Sequence, residues 1–269
     1  MVSQISTNLM RFFTFNPDMT PAPPLTDRHD LDRELATEGF AVLDAASLGA
    51  LAGLALARIA AWAPYWDALP ADRYLRDGGR YRRRRHASLT VDGDTVAPVA
   101  HRAHWQPLDY NALHGGIERW FEPMPADWAG SAELAALLRA LARKADVLRP
   151  GTDRWFAEVH PFRIDCTDGI GRPTPEGAHR DGVDLVAVCL VARHNIKGGE
   201  TRVFDAAGPH GMRFTLTQAW SALLLDDARV IHESTPIQPV DPAQPAYRDT
   251  LVVTLRGGGF QDPMTSTAP

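Results

Sequence analysis

The chain has 269 residues and a net charge of −5, with 45% hydrophobic and 23% charged residues, the composition of an ordinary globular protein. The acidic balance argues against a general nucleic-acid binder, and no apolar run is long enough to span a bilayer. The opening residues lack the charged-then-apolar order of a secretory signal, so the expected compartment is the cytoplasm.

Four prolines between positions 17 and 27 read as an irregular entry arm. A helix is expected over 27–38, closed by Gly39, then a short strand over 40–43. Leu48, Leu51, Leu54, Ala55, Arg58 and Ile59 recur at helical spacing and predict one helix over 47–62, ended by Pro64. Turn signals such as Asp77-Gly78-Gly79 and Asp92-Gly93 predict a hairpin region over 70–107. A helix is expected over 111–121. A longer one over 131–148 has Ser131 as N-cap and a stripe of Leu134, Leu137, Leu138, Leu141 and Val147.

Beyond Pro150 the texture changes. Short strands are predicted over 155–164, 184–192, 201–204, 213–216, 221–225, 229–232 and 247–255, with no helix between them. That run argues for antiparallel β structure, a sandwich or a jelly roll. Cys166 and Cys189 lie in strand-like apolar surroundings and read as small buried side chains rather than a disulfide framework. The expected organisation is one domain over 1–269. An arm reaches to about 29, helical and hairpin elaboration covers 30–150, and the β-core covers 151–256.

Within that core, His179-Arg180-Asp181 is followed at a distance by His232. Two imidazoles and one carboxylate can hold Fe(II) by one face and leave the opposite positions open. In an extended strand, side chains two apart point the same way, so His179 and Asp181 can grip one ion, and His232 must arrive from another strand. Zinc accepts the same donors, but the chain has no His-Glu-x-x-His helix to supply a hydrolytic base. Fe(II) with three open positions can chelate a 2-oxo acid and bind dioxygen, and decarboxylation of that acid would supply an oxidant beside a substrate C–H bond. Arg248 and Thr250 share a strand face and suit a distal carboxylate, through a guanidinium fork and a hydroxyl.

The phrases Pro-Glu-Gly-Ala-His-Arg-Asp-Gly-Val at 175–183, Gly-Gly-Glu-Thr at 198–201, Asp-Asp-Ala-Arg-Val-Ile-His at 226–232 and Tyr-Arg-Asp-Thr at 247–250 resemble the 2-oxoglutarate/Fe(II)-dependent dioxygenases. Within them, the chain is most similar to the bacterial group typified by L-isoleucine dioxygenase, which hydroxylates free amino acids. The Arg-Tyr-Arg-Arg-Arg-Arg run at 80–85 shares that likeness, which extends over about 30–256. The resemblance implies a mainly β fold with flanking helices around a double-stranded β-helix (a jelly-roll, cupin-like core). It implies iron at His179, Asp181 and His232, 2-oxoglutarate at Arg248, dioxygen as co-reactant and ascorbate as reductant in vitro, with no catalytic group beyond the metal ligands. Thr250 stands where many relatives carry Ser, which keeps the hydroxyl. Halogenating relatives lack the carboxylate ligand, so the presence of Asp181 points to hydroxylation.

Selectivity must come from outside the metal ligands. As a strand, Arg80, Arg82 and Arg84 would face one way and Arg83 and Arg85 the other. One face could offer a carboxylate clamp, or the whole strand could be a solvated surface. Trp105, Arg119 and Arg163 are further candidates for the substrate pocket. His101, His104, His114 and His160 read as ordinary polar residues. The expected reaction is hydroxylation, or sulfoxidation, of a small molecule, a free aliphatic L-amino acid, with no nucleic-acid or membrane partner. The alternatives are the same chemistry on another small carboxylate or amino-acid derivative, and a metal- or ligand-binding jelly roll without turnover.

Overall fold

The computed structural model describes residues 21–111 and 113–263. Most of the proline-rich arm, up to residue 20, lies outside them. The chain enters through helix α1 (Leu31–Glu38), which stops where Gly39 takes φ 79°, and runs straight into strand β1 (Phe40–Leu43). A side chain at Gly39 would also collide with Val230, since its Cβ would lie 2.8 Å from Cγ1.

The helix expected over 47–62 is broken. Asp44 caps α2 (Ala45–Ala52) by accepting from the Ser47 amide, and Gly53 in the left-handed region ends it. A short α3 (Leu56–Ala60) and a 3-10 turn over Ala63–Ala68 follow. The apolar spacing still holds, because Leu48 and Ile59 are both buried in the same core.

Strands β2 (Arg82–Arg84), β3 (Ala87–Asp92) and β4 (Thr95–Pro98) occupy the predicted hairpin region. The helix expected over 111–121 does not form. Gly115 is wedged so closely that a Cβ there would lie 2.4 Å from the Asn111 carbonyl, and the chain instead returns as an extended segment, with Arg119 bridged to His104. A one-turn α4 (Ala126–Ala129) precedes α5 (Ala132–Leu148), whose Ser131 cap accepts from the Leu134 amide. Its leucine stripe is buried as predicted, except that Val147 is 38% exposed and lies off it.

All seven strands predicted after residue 150 are present: β5 (Trp155–Asp165), β6 (Leu185–His194), β8 (Thr201–Asp205), β9 (Gly211–Phe214), β10 (Ala222–Asp226), β11 (Val230–Ser234) and β13 (Tyr247–Gly257). Two three-residue strands, β7 (Ile196–Gly198) and β12 (Ile237–Pro239), are too short to show a sequence period. The major sheet runs β1-β10-β6-β13-β5-β3-β4, with β2 also on β5. The second layer is β11-β8-β9 with the β12-β7 pair. This is the jelly roll, with helices on the outside of the major sheet.

Strand alternation decides what faces what. On β5 and β13 the odd positions Ala157, Val159, Leu251, Val253 and Leu255 join the leucines of α5 and Trp66, Trp128 and Trp220 in the outer core. The even positions Glu158, His160, Phe162, Arg248, Thr250 and Thr254 turn into the space between the layers. Polar residues on so apolar a sheet mark that space as functional rather than structural. No single helix among the described residues is long and apolar enough to cross a membrane.

Candidate active site

The cavity between the layers offers about 930 Å³ of space, counted out to its open mouth. His179 and His232 meet across it as an isolated antiparallel bridge, each amide donating to the other's carbonyl at 3.0 and 2.9 Å. The bridge sets the two rings side by side, with centroids 4.6 Å apart. Asp181 joins them: its Oδ1 lies 3.8 Å from His179 Nε2 and its Oδ2 3.9 Å from His232 Nε2.

Asp181 does not reach this place on a regular strand, as the sequence spacing suggested. It sits in a loop whose shape is held by Asp227. That buried carboxylate accepts from the amides of Asp181, Gly182 and Val183 at 2.9, 2.7 and 3.1 Å. Burial, and then the charge of Asp181, push the Asp227 carboxyl up to about 6 despite those three donors. Gly182, at φ 75°, lets the loop pass Tyr110, where a Cβ would come within 2.5 Å of the ring.

The donor set fits a divalent metal on its own chemistry. One ligand atom from each of His179, Asp181 and His232 lies within 4.8 Å of the others. His179 donates from Nδ1 to the Gly177 carbonyl at 3.0 Å, which frees Nε2 as the lone-pair atom. Burial, and then the neighbouring His179, push His232 down to about 3, so it is held as a neutral imidazole. At His179 burial works the same way, but Asp181 and Glu176 outweigh it and the pKa rises.

Gln106 orients Asp181. Its Oε1 accepts from Asn111 Nδ2 and Arg119 Nη2 at 3.2 and 2.8 Å, which orients the amide so that Nε2 donates to Asp181 Oδ1 at 3.1 Å. Such outer contacts are worth about 10- to 100-fold in metal affinity. Gln106→Leu is therefore expected to weaken divalent-metal binding by roughly that factor in a metal titration, and to lower the melting temperature of the metal-free protein as well, since the buried Asn111 and Arg119 lose an acceptor. Unchanged affinity would show that Asp181 orients itself.

Arg248 and Thr250 both face the cavity and are buried. Burial, and then Arg193, push the Arg248 guanidinium down to about 10. It makes no ion pair among the described residues, and its Nε has no hydrogen-bond partner. A buried cation in that condition suits an incoming carboxylate.

The arginine run divides as strand geometry requires, and its register on β5 settles which members turn inward: Arg82 lies opposite Ile164, Arg83 opposite Arg163 and Arg84 opposite Phe162. Arg82 and Arg84 line the cavity. Arg82 is paired to Asp72 at 2.7 Å. Arg84 is clamped between the Phe121 and Phe162 rings, 3.7 and 4.2 Å from their centroids, and donates to His160 Nδ1 at 2.7 Å. Arg119 is also buried on the cavity.

Three expected substrate contacts do not reach the cavity. Arg80 is exposed and tied to Asp168. Arg163, at an odd position of β5, points outward to Asp249 and Asp67. Trp105 is half-buried and does not line the cavity.

Sequence reasoning passed over a polar cluster of His86, His104, Glu158 and His160, all buried, with ligand-type atoms within 4.8 Å of one another. Glu158 accepts from His86 Nε2 and His104 Nδ1, both at 3.1 Å, and faces Arg102 at 3.5 Å. Burial lowers the pKa of all three imidazoles, His104 to about 4. Two guanidiniums already reach into the cluster, and a divalent cation there would meet their repulsion. The geometry is that of a polar floor that positions Arg84. Its signal in the sequence was the polar pair Glu158 and His160 inside an otherwise apolar strand.

A jelly roll with a His/Asp/His-type site and an unpaired arginine beside it defines a class, the non-haem iron oxygenases that use a 2-oxo acid. The model of the 2OG-Fe dioxygenase family matches residues 63–254, and the chain belongs to that family. It is an oxidoreductase whose cofactors are Fe(II), 2-oxoglutarate and dioxygen. Among solved structures it is similar to a bsmA homolog from Methylobium petroleophilum PM1, at 53% identity and TM-score 0.85, over 91% of this chain and 99% of that one. It shares its fold with IDO from Bacillus thuringiensis, at 15% identity and TM-score 0.69, over 87% of this chain and 97% of that one. The Fe(II)/α-ketoglutarate-dependent dioxygenase TqaL aligns at 20% identity and TM-score 0.60, over 86% of this chain and 87% of that one. No curated protein matches the sequence.

Proposed function

We propose that this dioxygenase hydroxylates a free L-amino acid with an aliphatic side chain. In this reading His179, Asp181 and His232 hold Fe(II), Arg248 with Thr250 holds the distal carboxylate of 2-oxoglutarate, and the substrate's own carboxylate goes to Arg84 and Arg119. The metal with its cosubstrate and dioxygen supplies the oxidant. The protein binds, orients and keeps water away.

One observation carries the substrate reading. Arg84 and Arg119 are buried on the cavity wall, and neither has a carboxylate within ion-pair distance among the described residues. The Nε of each lacks any partner. Burial lowers the pKa of both, Arg119 to about 10. A buried guanidinium with no carboxylate in ion-pair contact is costly, even with Asp72 and Glu158 nearby, so these groups favour a ligand that brings an anion. The remaining walls include Ile164, Val188 and Val252, which suit an aliphatic side chain.

The test is succinate formation from 2-oxoglutarate with Fe(II), ascorbate and a panel of small acids. L-leucine, L-isoleucine or L-methionine is expected to stimulate turnover above the uncoupled background, and the corresponding amides, which lack the carboxylate, to do so poorly. Strong stimulation by the amides, or by peptides alone, would overturn this substrate class. An N-modified amino acid or another small carboxylate that outperforms the free amino acids would shift the reading to a derivative with the same chemistry.

A further inference from the structure

The carboxylates on the cavity are Glu158, Glu176 and Asp181. Two of them are spoken for. Glu158 uses its oxygens on His86 and His104, and Asp181 faces the two metal-site imidazoles and the Gln106 amide. Glu176 is different. Its Oε1 lies 3.5 Å from His179 Nε2, and its Oε2 is buried without any hydrogen-bond partner.

A local turn puts it there. The Gly177 amide donates to the Thr174 carbonyl at 3.0 Å, and Gly177 takes φ 81°. That brings the Glu176 side chain back over His179, three residues on, whose Nδ1 is held by the Gly177 carbonyl. Glu176 is not one of the converging trio, because the three mutually close ligand atoms belong to His179, Asp181 and His232. It flanks that site and is not part of it.

A carboxylate oxygen is only an acceptor, so the missing partner is a donor, and the strongest available match is a cation. The same cavity carries Arg84 and Arg119, each with an Nε that has no partner, and the charge of Glu176 is felt at Arg119 without an ion-pair contact between them. We propose that Glu176 receives the ammonium group of the substrate, so that the pocket recognises a zwitterion: the carboxylate on Arg84 and Arg119, the amine on Glu176 beside the metal. This rests on the amino-acid reading above and identifies the residue that makes the amine obligatory. A des-amino acid would leave the buried Oε2 of Glu176 without a partner. An N-acyl derivative would offer it only an uncharged amide. A site built for a polar group discriminates strongly against analogues that lack it.

The experiment is calorimetric binding of L-leucine and of 4-methylpentanoic acid, its des-amino analogue. The protein is loaded with 2-oxoglutarate and with Co(II) in place of iron, without oxygen, so that no turnover intervenes. The parent is expected to bind L-leucine roughly a hundredfold or more tightly than the des-amino acid. Glu176→Gln keeps shape and loses charge, and is expected to weaken L-leucine roughly tenfold or more, which narrows that preference. Glu176→Asp keeps the charge and is expected to recover part of the loss, a rescue that a merely structural role would not show. Equal L-leucine affinity in the parent and Glu176→Gln overturns the assignment alone. Equal affinity of the parent for the two ligands overturns it as well. A parent that binds no free amino acid in the wider panel overturns the amino-acid reading and this assignment together.

Discussion

Replacing Asp181 with Ala is expected to reduce iron-dependent turnover below detection while the chain still folds. Asp181 is the single anionic member of the converging trio, and its two oxygens face the Nε2 atoms of His179 and His232. Without it, two neutral imidazoles remain, and a hard divalent ion keeps little of its binding energy. Melting temperature separates loss of metal from loss of fold. At about 100 times its Kd, a bound metal stabilises the parent by about 2.7 kcal/mol, or roughly 5–10 °C for a chain of this size. The variant is expected to lose that shift and to melt, metal-free, close to the metal-free parent. A variant that kept wild-type turnover and metal stoichiometry would remove Asp181 from the site. One that unfolded without metal would show that Asp181 holds the loop rather than the ion.

The parts of this arrangement that could be read from sequence are those set by local chemistry. The glycine after Glu38 and the Ser131 cap mark helix ends through backbone geometry that only a few residues satisfy. Period-2 alternation in β13 put Arg248 and Thr250 on one face before any partner strand was known. The spacing of His179 and Asp181 carried the donor set, although the loop that presents Asp181 was not visible. What stayed hidden depends on partners distant in the chain. Which face of the 82–84 strand turns inward follows from its register on β5. Asp227 holds the Asp181 loop from the far end of β10, and Gln106 reaches Asp181 from the end of the stretch read as a hairpin region. The 47–62 region misled for another reason: its residues are apolar on nearly every side, so periodicity could not show the break at Gly53. Glu176 was in view inside the 175–183 phrase, but its unpartnered oxygen is a fact of packing.

Arg248→Leu is expected to separate binding from stability, in opposite directions. The guanidinium is buried on the cavity and makes no ion pair among the described residues, so in the absence of cosubstrate the fold carries a buried cation with no carboxylate in contact. Burial has already pushed that cation down to about 10. Replacing a buried charge with an apolar side chain of similar bulk is commonly neutral or stabilising by about 1–4 kcal/mol. The cosubstrate-free variant is therefore expected to melt at or above the parent's temperature. Cosubstrate binding moves the other way. Losing a charge-assisted contact in a buried site costs about 2–5 kcal/mol, which raises the 2-oxoglutarate Kd by about thirtyfold to several thousandfold. Arg248→Lys keeps the charge but not the planar fork, and is expected to fall between the two. Calorimetry with 2-oxoglutarate and a thermal melt on the same samples make the comparison. A large drop in melting temperature with unchanged 2-oxoglutarate affinity would assign Arg248 to the framework and move the cosubstrate to another cation of the cavity. Weakened binding without loss of stability is the pattern of a residue retained for its ligand, as in other sites where function keeps a charge that the fold alone would discard.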